Sequence, residues 1–341
     1  MKLYKKILLF LVLFLFVYIL IRFLQKRPNN SSKEGLENPP PANTSGIQSV
    51  NPANANLPLS EYIIKSSYNS ALSGKFIYND MLKYVLGRGC RFLDFEVYYN
   101  KDTLVPFVSY STDSTYLTIE TNNSILLDNI LTTVITSGFS ADSPNYEDPI
   151  FIQLRIKSTD PNVYKAVAKS VDNTLTDKLY TERITKETLL SDIMGKVVLV
   201  IDKTINIEYK NFTDCSQNDT TCYDLKKYIN IESGSEFMRL SRYNEILNKT
   251  YSTPNIRDDN ISTDVSNIQV VLPDYDSSLI KNPNLSDFVL NYGCQIIPYR
   301  FYNTDDNLSS YEEFFKENKY AFVSLARGLP YLRKMKESKY S

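Results

Sequence analysis

Seven polar side chains stand where apolar runs of this chain end or alternate: Tyr68 and Asn69, Asp94 and Glu96, Tyr110, Arg155 and Lys157. Each type has its chemistry. Carboxylates and a carboxamide offer the oxygens that a hard cation such as calcium takes. A guanidinium donates in a planar fork that fits a carboxylate or a phosphate. A phenol with a pKa of about 10 is a poor general base at neutral pH. Histidine, the usual proton shuttle near neutrality, is absent from all 341 residues. With no histidine and only four cysteines, the sequence also argues against a zinc site of the Cys/His kind. The same residues have a plainer reading as architecture. Asp94 and Glu96 then form the polar side of a strand, Arg155 pairs with them internally, and the tyrosines fill space.

Short apolar runs position these residues. Eight of them read as strands: Tyr62–Lys65, Phe92–Tyr98, Val105–Tyr110, Ile150–Ile156, Val197–Ile201, Phe237–Ser241, Ile268–Leu272 and Gln295–Phe301. Several are apolar without alternation, the pattern of strands buried on both faces. Helix-period segments lie between some of them, one over 125–135 and one from Val163 to Leu179 behind Asp160-Pro161. Strand–helix alternation predicts parallel βα units. Eight runs across residues 58–335 predict an α/β fold of the (β/α)8 TIM-barrel type, with active-site positions at the C-terminal strand ends.

Polar stretches at 203–235 and 243–266 read as loops or insertions. They carry the glycosylation tripeptides beginning at Asn211, Asn218, Asn248 and Asn260. Cys215 and Cys222 lie seven apart there and could close a local disulfide in an oxidising compartment. Cys90 and Cys294 sit in apolar runs, as buried thiols do. No internal repeat is visible.

The N-terminal stretch is of another kind. Lys2, Lys5 and Lys6 precede an uncharged run from Ile7 to Ile21, closed by Arg22. A single-pass membrane anchor over 1–25 is expected, since a spanning helix needs about 17–25 mostly apolar residues. The absence of a nearby small-residue cleavage site favours an anchor over a removed signal peptide. Lys and Arg flank both sides, so orientation stays open. Residues 26–57 are rich in Pro, Asn and Ser without hydrophobic period, which predicts a disordered tether. A net charge of −1 gives no electrostatic case for nucleic acid; the apolar run makes a membrane the expected partner.

Several motifs resemble those of phosphatidylinositol-specific phospholipase C. Ser66-Ser67-Tyr68-Asn69-Ser70 is similar to the family's Ser-Ser-His-Asn-Thr. Arg88-Gly89-Cys90-Arg91-Phe92-Leu93-Asp94-Phe95-Glu96 is similar to its Arg-Gly-Cys-Arg-x-x-Glu-Leu-Asp. Pro106 to Tyr110 resembles Pro-x-x-x-His, and Pro149 to Arg155 resembles Pro-Val-Ile-Leu-Ser-x-Glu. Gly195-Lys196-Val197 and Gly293-Cys294-Gln295-Ile296 resemble later strands of the family. On this resemblance an X-like half spans about 58–205 and a Y-like half about 236–335.

The resemblance also implies a mechanism to compare with. In the family, one histidine takes the proton of the inositol 2-hydroxyl, which attacks phosphorus. A second histidine protonates the leaving diacylglycerol oxygen, and calcium held by Asn, Glu, Asp and Glu stabilises the charge. Carried over residue by residue, the two histidines become Tyr68 and Tyr110. Asn69, Asp94 and Glu96 keep calcium-ligand positions, with the two acids exchanged, and the fourth ligand becomes Arg155. A guanidinium cannot ligate calcium. The expectation is therefore no cofactor, no catalytic residue, and Asn69, Asp94, Glu96 and Arg155 as candidate ligand or phosphate contacts. The protein is expected to be a membrane-anchored, catalytically inactive homologue that binds phosphoinositide or another phosphodiester, or serves a structural role. The alternative is a residual calcium-independent phosphoric diester hydrolase using Arg155 with Tyr68 or Tyr110.

Overall fold

The computed structural model describes residues 46–338, apart from 114, 116–117, 214, 216–221, 249–266 and 276–280. In chain order the elements are β1 (Tyr62–Ile64), β2 (Ser66–Ser67), β3 (Leu72–Ser73), β4 (Phe76–Ile77), α1 (Asn79–Gly87), β5 (Phe92–Asn100), β6 (Val105–Ser109), β7 (Ile125–Leu126) and α2 (Leu127–Gly138). There follow β8 (Ile150–Ile156), α3 (Asn162–Leu175), β9 (Val197–Asp202), β10 (Ile231–Ser233), β11 (Met238–Arg242), α4 (Tyr243–Asn248) and β12 (Ile268–Leu272). The last are α5 (Leu285–Tyr292), α6 (Asp306–Asn318), β13 (Phe322–Ser324) and α7 (Leu325–Ser338).

Strands β2, β5, β8, β9 and β10 run parallel in that order. Every residue of β8 and β9 is buried, which explains why β9 is apolar from Val197 to Ile201 and why β8 has no solvent-facing polar side. Alternate residues enter two different cores. Ile150, Ile152 and Leu154 pack outward with Leu131 and Val167 of the helices. Phe92, Phe151 and Val200 pack instead with Ile64, Val270 and Ile296, in a second core that also takes in Val50, Ala55, Leu190 and Ile193 from outside the strands. Parallel pairing continues from β11 to β12. Single parallel bridges then link Val270 to Ile296, Ile296 to Ile64, and Tyr299 to Ser67.

The expected ring of eight strand ladders differs from this in three places. Val105–Tyr110 is not a parallel strand, because β6 pairs antiparallel with β5 as a hairpin arm. The intervening turn at Lys101–Leu104 is far too short for a parallel crossover, which takes a dozen residues or more. Gln295–Phe301 contributes bridges rather than a ladder, and Pro298 within it has no N–H to give. Between β10 and β11 no ladder forms among the described residues. The two meet through Gly234 N–H donating to the Met238 carbonyl.

Two other expectations shift. The stretch 203–235 holds β10 and two short 3-10 turns, Tyr209–Phe212 and Leu225–Lys227. Residues 46–57, expected within a tether, are a packed strap: Ala55 is 0% exposed and Val50 3%. Val50 N–H donates to Asp148 Oδ1 at 2.7 Å, and Gln48 N–H to the Lys319 carbonyl at 2.9 Å. Ile47, Val50 and Ala55, all buried, and fixed amides are enough to seat a segment whose composition is otherwise loop-like. Cys215 and Cys222 are joined in a disulfide, while Cys90 and Cys294 are buried thiols. Among the described residues no helix is long and apolar enough to cross a membrane. The expected anchor over 1–25, like residues 26–45, lies outside the described residues.

Candidate functional site

Strand parity and register assemble the site. Asp94 and Glu96 share one face of β5; on β8, register sets Gln153 beside Asp94 and Arg155 beside Glu96. Lys157 follows on the same face, one residue past the strand end. Asn69 comes from the turn after β2 with φ 43°, a left-handed conformation that Asn tolerates better than most residues. Its N–H donates to Asp94 Oδ2 at 3.1 Å, which ties that turn to β5.

Arg155 is the centre. Its Nε donates to Asp94 Oδ1 at 2.7 Å and its Nη2 to Asp94 Oδ2 at 2.7 Å, a two-pronged pair. Nη1 donates to Glu96 Oε1 at 2.8 Å, and Nη2 also to Asn69 Oδ1 at 2.9 Å. The other Glu96 oxygen accepts from Lys157 Nζ at 2.8 Å, Tyr98 OH at 2.9 Å and Ser111 N–H at 3.1 Å. Lys157 Nζ donates also to the Ser111 carbonyl at 2.8 Å. Asp94, Glu96 and Arg155 are 0% exposed and Lys157 1%. Two cations and two anions thus balance inside the fold. Each buried charge is met by an opposite one and by further hydrogen bonds, the condition under which such burial is tolerable.

The protonation states follow from the geometry. Burial favours neutral Glu96, but the Arg155 and Lys157 charges outweigh it and hold the carboxyl below its usual range. Burial opposes the Arg155 charge, yet Asp94, with Tyr68 and Glu96 behind it, keeps the guanidinium above its ordinary value. Lys157 falls below its ordinary value because desolvation exceeds the help of Glu96.

The two tyrosines lie above this network. Tyr68 is 2% exposed, with the Arg155 guanidinium 4.8 Å and the Arg300 guanidinium 5.8 Å from its ring centre. Tyr110, half-buried after β6, is electrostatically coupled to Tyr68, Tyr302 and Glu96. Burial pushes both phenols above their ordinary pKa. All six expected site residues therefore gather where β2, β6 and β8 end, with Asp94 and Glu96 facing them from the middle of β5. The four-membered core of the cluster is Asn69, Asp94, Glu96 and Arg155; Tyr68 stacks on it and Tyr110 stands beside it.

Sequence reasoning placed Lys157 at a strand end but missed its bond to Glu96. The signal was the shared parity of 153, 155 and 157. It missed Tyr98, which holds Glu96 from two residues along β5, Ser111, which holds it from the turn after β6, and Arg242, whose guanidinium stacks 3.8 Å from the Tyr275 ring centre. Two buried polar groups beside the network had no signal in the sequence: among the described residues, both polar side-chain atoms of Gln153, and Asp202 Oδ2, have no hydrogen-bond partner.

A divalent cation does not fit the cluster. Oxygens of Asn69, Asp94 and Glu96 all face N–H groups of one guanidinium, and a fixed cation at their centre repels another. Among the described residues no group of three or more Cys, Asp or Glu could hold a metal ion. What the arrangement provides is a rigid, charge-balanced floor with aromatic and cationic groups above it.

Residues 55–203 match the family model for phosphatidylinositol-specific phospholipase C, X domain. Similar solved structures include PLC21 of S. officinalis, with TM-score 0.57 and 16% identity over 80% of this chain and 37% of that one. PLC21 of L. pealei gives TM-score 0.56 and 16% identity over the same shares, 80% and 37%. No curated protein matches the chain. The chain spans little more than a third of the length of these relatives, and at such identity the likeness is one of fold. The fold is phospholipase-C-like, and the likeness runs past residue 203 into the second half.

Proposed function

We propose that this protein is a membrane-anchored, catalytically inactive phospholipase-C-like protein whose strand-end mouth binds a phosphodiester such as a phosphoinositide headgroup. One observation carries the reading: Arg155 sits bonded to Asn69, Asp94 and Glu96, the residues that the family resemblance assigns to calcium. The same resemblance sets Tyr68 and Tyr110 at the positions of the two proton-transferring histidines. Both phenols are raised by burial, so near neutral pH neither takes up a proton. General acid–base groups supply about 10²–10⁴-fold each, and loss of two leaves binding without turnover.

The test uses the full chain with phosphatidylinositol vesicles, with and without calcium. The expected result is inositol phosphate release at buffer background, with sedimentation on phosphatidylinositol vesicles in preference to phosphatidylcholine. Turnover above background that falls in Tyr68→Phe would overturn the reading.

A second reading has a specific observation in its favour. Arg155 is a fixed cation 4.8 Å from the Tyr68 ring centre, so a metal-independent hydrolase could use it in place of calcium. That reading requires turnover insensitive to chelator and abolished in Arg155→Met. Sedimentation indifferent to the lipid headgroup, with no turnover, would instead support a purely structural role.

A further inference from the structure

We infer that Asn211 accepts N-linked carbohydrate, on a domain that folds in an oxidising compartment. Two independent features meet at one loop. The first is the state of the thiols. Of the four cysteines, Cys215 and Cys222 are disulfide-bonded. Cys90 and Cys294 are 0% exposed, and burial pushes both thiols up, Cys90 to about 12. The protein thus presents no free thiol to solvent. That is the pattern of a secretory or cell-surface domain, since reducing compartments keep exposed cysteine pairs open.

The second feature is the tripeptide Asn211-Phe212-Thr213, which ends two residues before Cys215. It lies on the 3-10 turn Tyr209–Phe212 beyond the C-terminal end of β9. Tyr209 is 1% exposed and packs 5.8 Å from the Tyr164 ring; Phe212 stacks on the same ring at 6.2 Å. Thr213 is 0% exposed, its hydroxyl donating to the Lys210 carbonyl. The turn is therefore seated from below and presents Asn211 to solvent. Among the described residues the Asn211 side-chain amide makes no hydrogen bond that a sugar would displace.

Two other tripeptides of the same form, at Asn284 and Asn307, are placed differently. The Asn284 side chain caps α5, accepting from Ser286 and Asp287 N–H. Asn307 Nδ2 donates to the Asn282 carbonyl at 2.7 Å. Carbohydrate on either would cost an interaction that the fold uses; on Asn211 it would not.

The acceptor step is an N–C bond from Asn211 Nδ2 to the anomeric carbon of a polyprenyl-diphosphate-linked oligosaccharide. The anomeric C–O bond breaks, the lipid diphosphate leaves with the electron pair, and Nδ2 gives up one proton. Neither feature depends on what the mouth binds, so this inference and the proposed function fail separately.

The experiment expresses the full chain in a eukaryotic cell line and isolates it from membranes. Peptide mass spectrometry is expected to find a glycosidase-sensitive hexose series on the Asn211 peptide. The corresponding electrophoretic shift should diminish in Asn211→Gln. Maleimide labelling of the denatured chain should count two thiols before reduction and four after. An unmodified Asn211 peptide would overturn the acceptor assignment. Four thiols without reduction would overturn the compartment. Both readings come from the unmutated chain, so a variant that misfolds does not rescue the inference.

Discussion

Arg155 and Arg91 are both fully buried, yet the protein treats them differently. Arg155 faces two carboxylates and a carboxamide directly. Arg91 faces dipoles: Nη1 donates to the Gly138 carbonyl at 2.9 Å, and Nη2 to Ser143 Oγ at 2.6 Å and Asn145 Oδ1 at 2.8 Å. Its Nε has no partner among the described residues. The nearest acid, Asp148, is reached through Asn145 Nδ2 at 3.0 Å. The consequences run in opposite directions. Arg155 is held above its ordinary pKa, whereas burial brings Arg91 down to about 10 against the pull of Asp148. Asp148 itself is pushed up by burial to about 6. Direct ion pairs offset desolvation fully; oriented carbonyls and hydroxyls offset it in part. One arginine ties the strand ends together, and the other staples α2 and the strap to the opposite end.

The sharpest test of that contrast is substitution. Arg155→Met leaves Asp94 and Glu96 short of a partner and is expected to cost about 3–5 kcal/mol in urea unfolding. Arg91→Met, which mainly strands carbonyls and a hydroxyl, should cost about 1–3 kcal/mol. The reverse order would break the comparison.

Acid titration should separate the two ends next. Asp148 has a raised folded pKa, so its stabilising contribution is full below the unfolded value and is lost as pH rises through about 6. Glu96 has a depressed one, so its contribution is present above the ordinary carboxylate range and lost as pH falls through the folded value. The Asp148 contribution, a shift of some two units, is at most about 3 kcal/mol. Urea midpoints followed from pH 3 to 8 in Asp148→Asn and Glu96→Gln should show slopes removed in opposite senses; slopes of the same sign would contradict it.

A double-mutant cycle sharpens the pairing itself. Asp94→Asn added to Arg155→Met should recover about 2 kcal/mol, because a like number of opposite charges leaves together. Additive losses would mean that Asp94 and Arg155 do not compensate each other. The smallest effect concerns calcium. Arg155→Glu should bind calcium where the unmodified chain does not, and at tenfold excess over the dissociation constant this stabilises by about 1.4 kcal/mol. Calorimetry showing no binding would mean that Asn69, Asp94 and Glu96 do not converge on a cation once the guanidinium is gone.

Much of this was legible because burial on both faces writes itself into sequence. β5, β8 and β9 were readable from their dense apolar residues, and the site from the few polar ones that punctuate β5 and β8. What escaped was set by pairing direction and by single hydrogen bonds. Val105–Tyr110 has a strand's composition, and nothing in its residues says antiparallel except the brevity of the turn before it. Ile231–Ser233 was hidden in a polar stretch because three residues carry no period. The strap at 46–57 reads as loop, since Val50 and Ala55 are isolated among polar residues and only the Asp148 acceptor gives Val50 a place. Lys157 was visible as a charge at a strand end; its pairing with Glu96 depends on the β5–β8 register, which no single strand encodes.

The strap has a geometrical consequence for orientation. Gly46 packs on the Lys316 stem and Val50 bonds Asp148, two residues before β8 begins. Lys157 stands one residue after β8 ends. About 23 Å of strand separates them, at roughly 3.3 Å per residue. The described polypeptide therefore enters at the base of the domain, and the Arg155 cluster sits at its top. Anything that reaches the cluster approaches from the end of the domain opposite the one at which residue 46 enters.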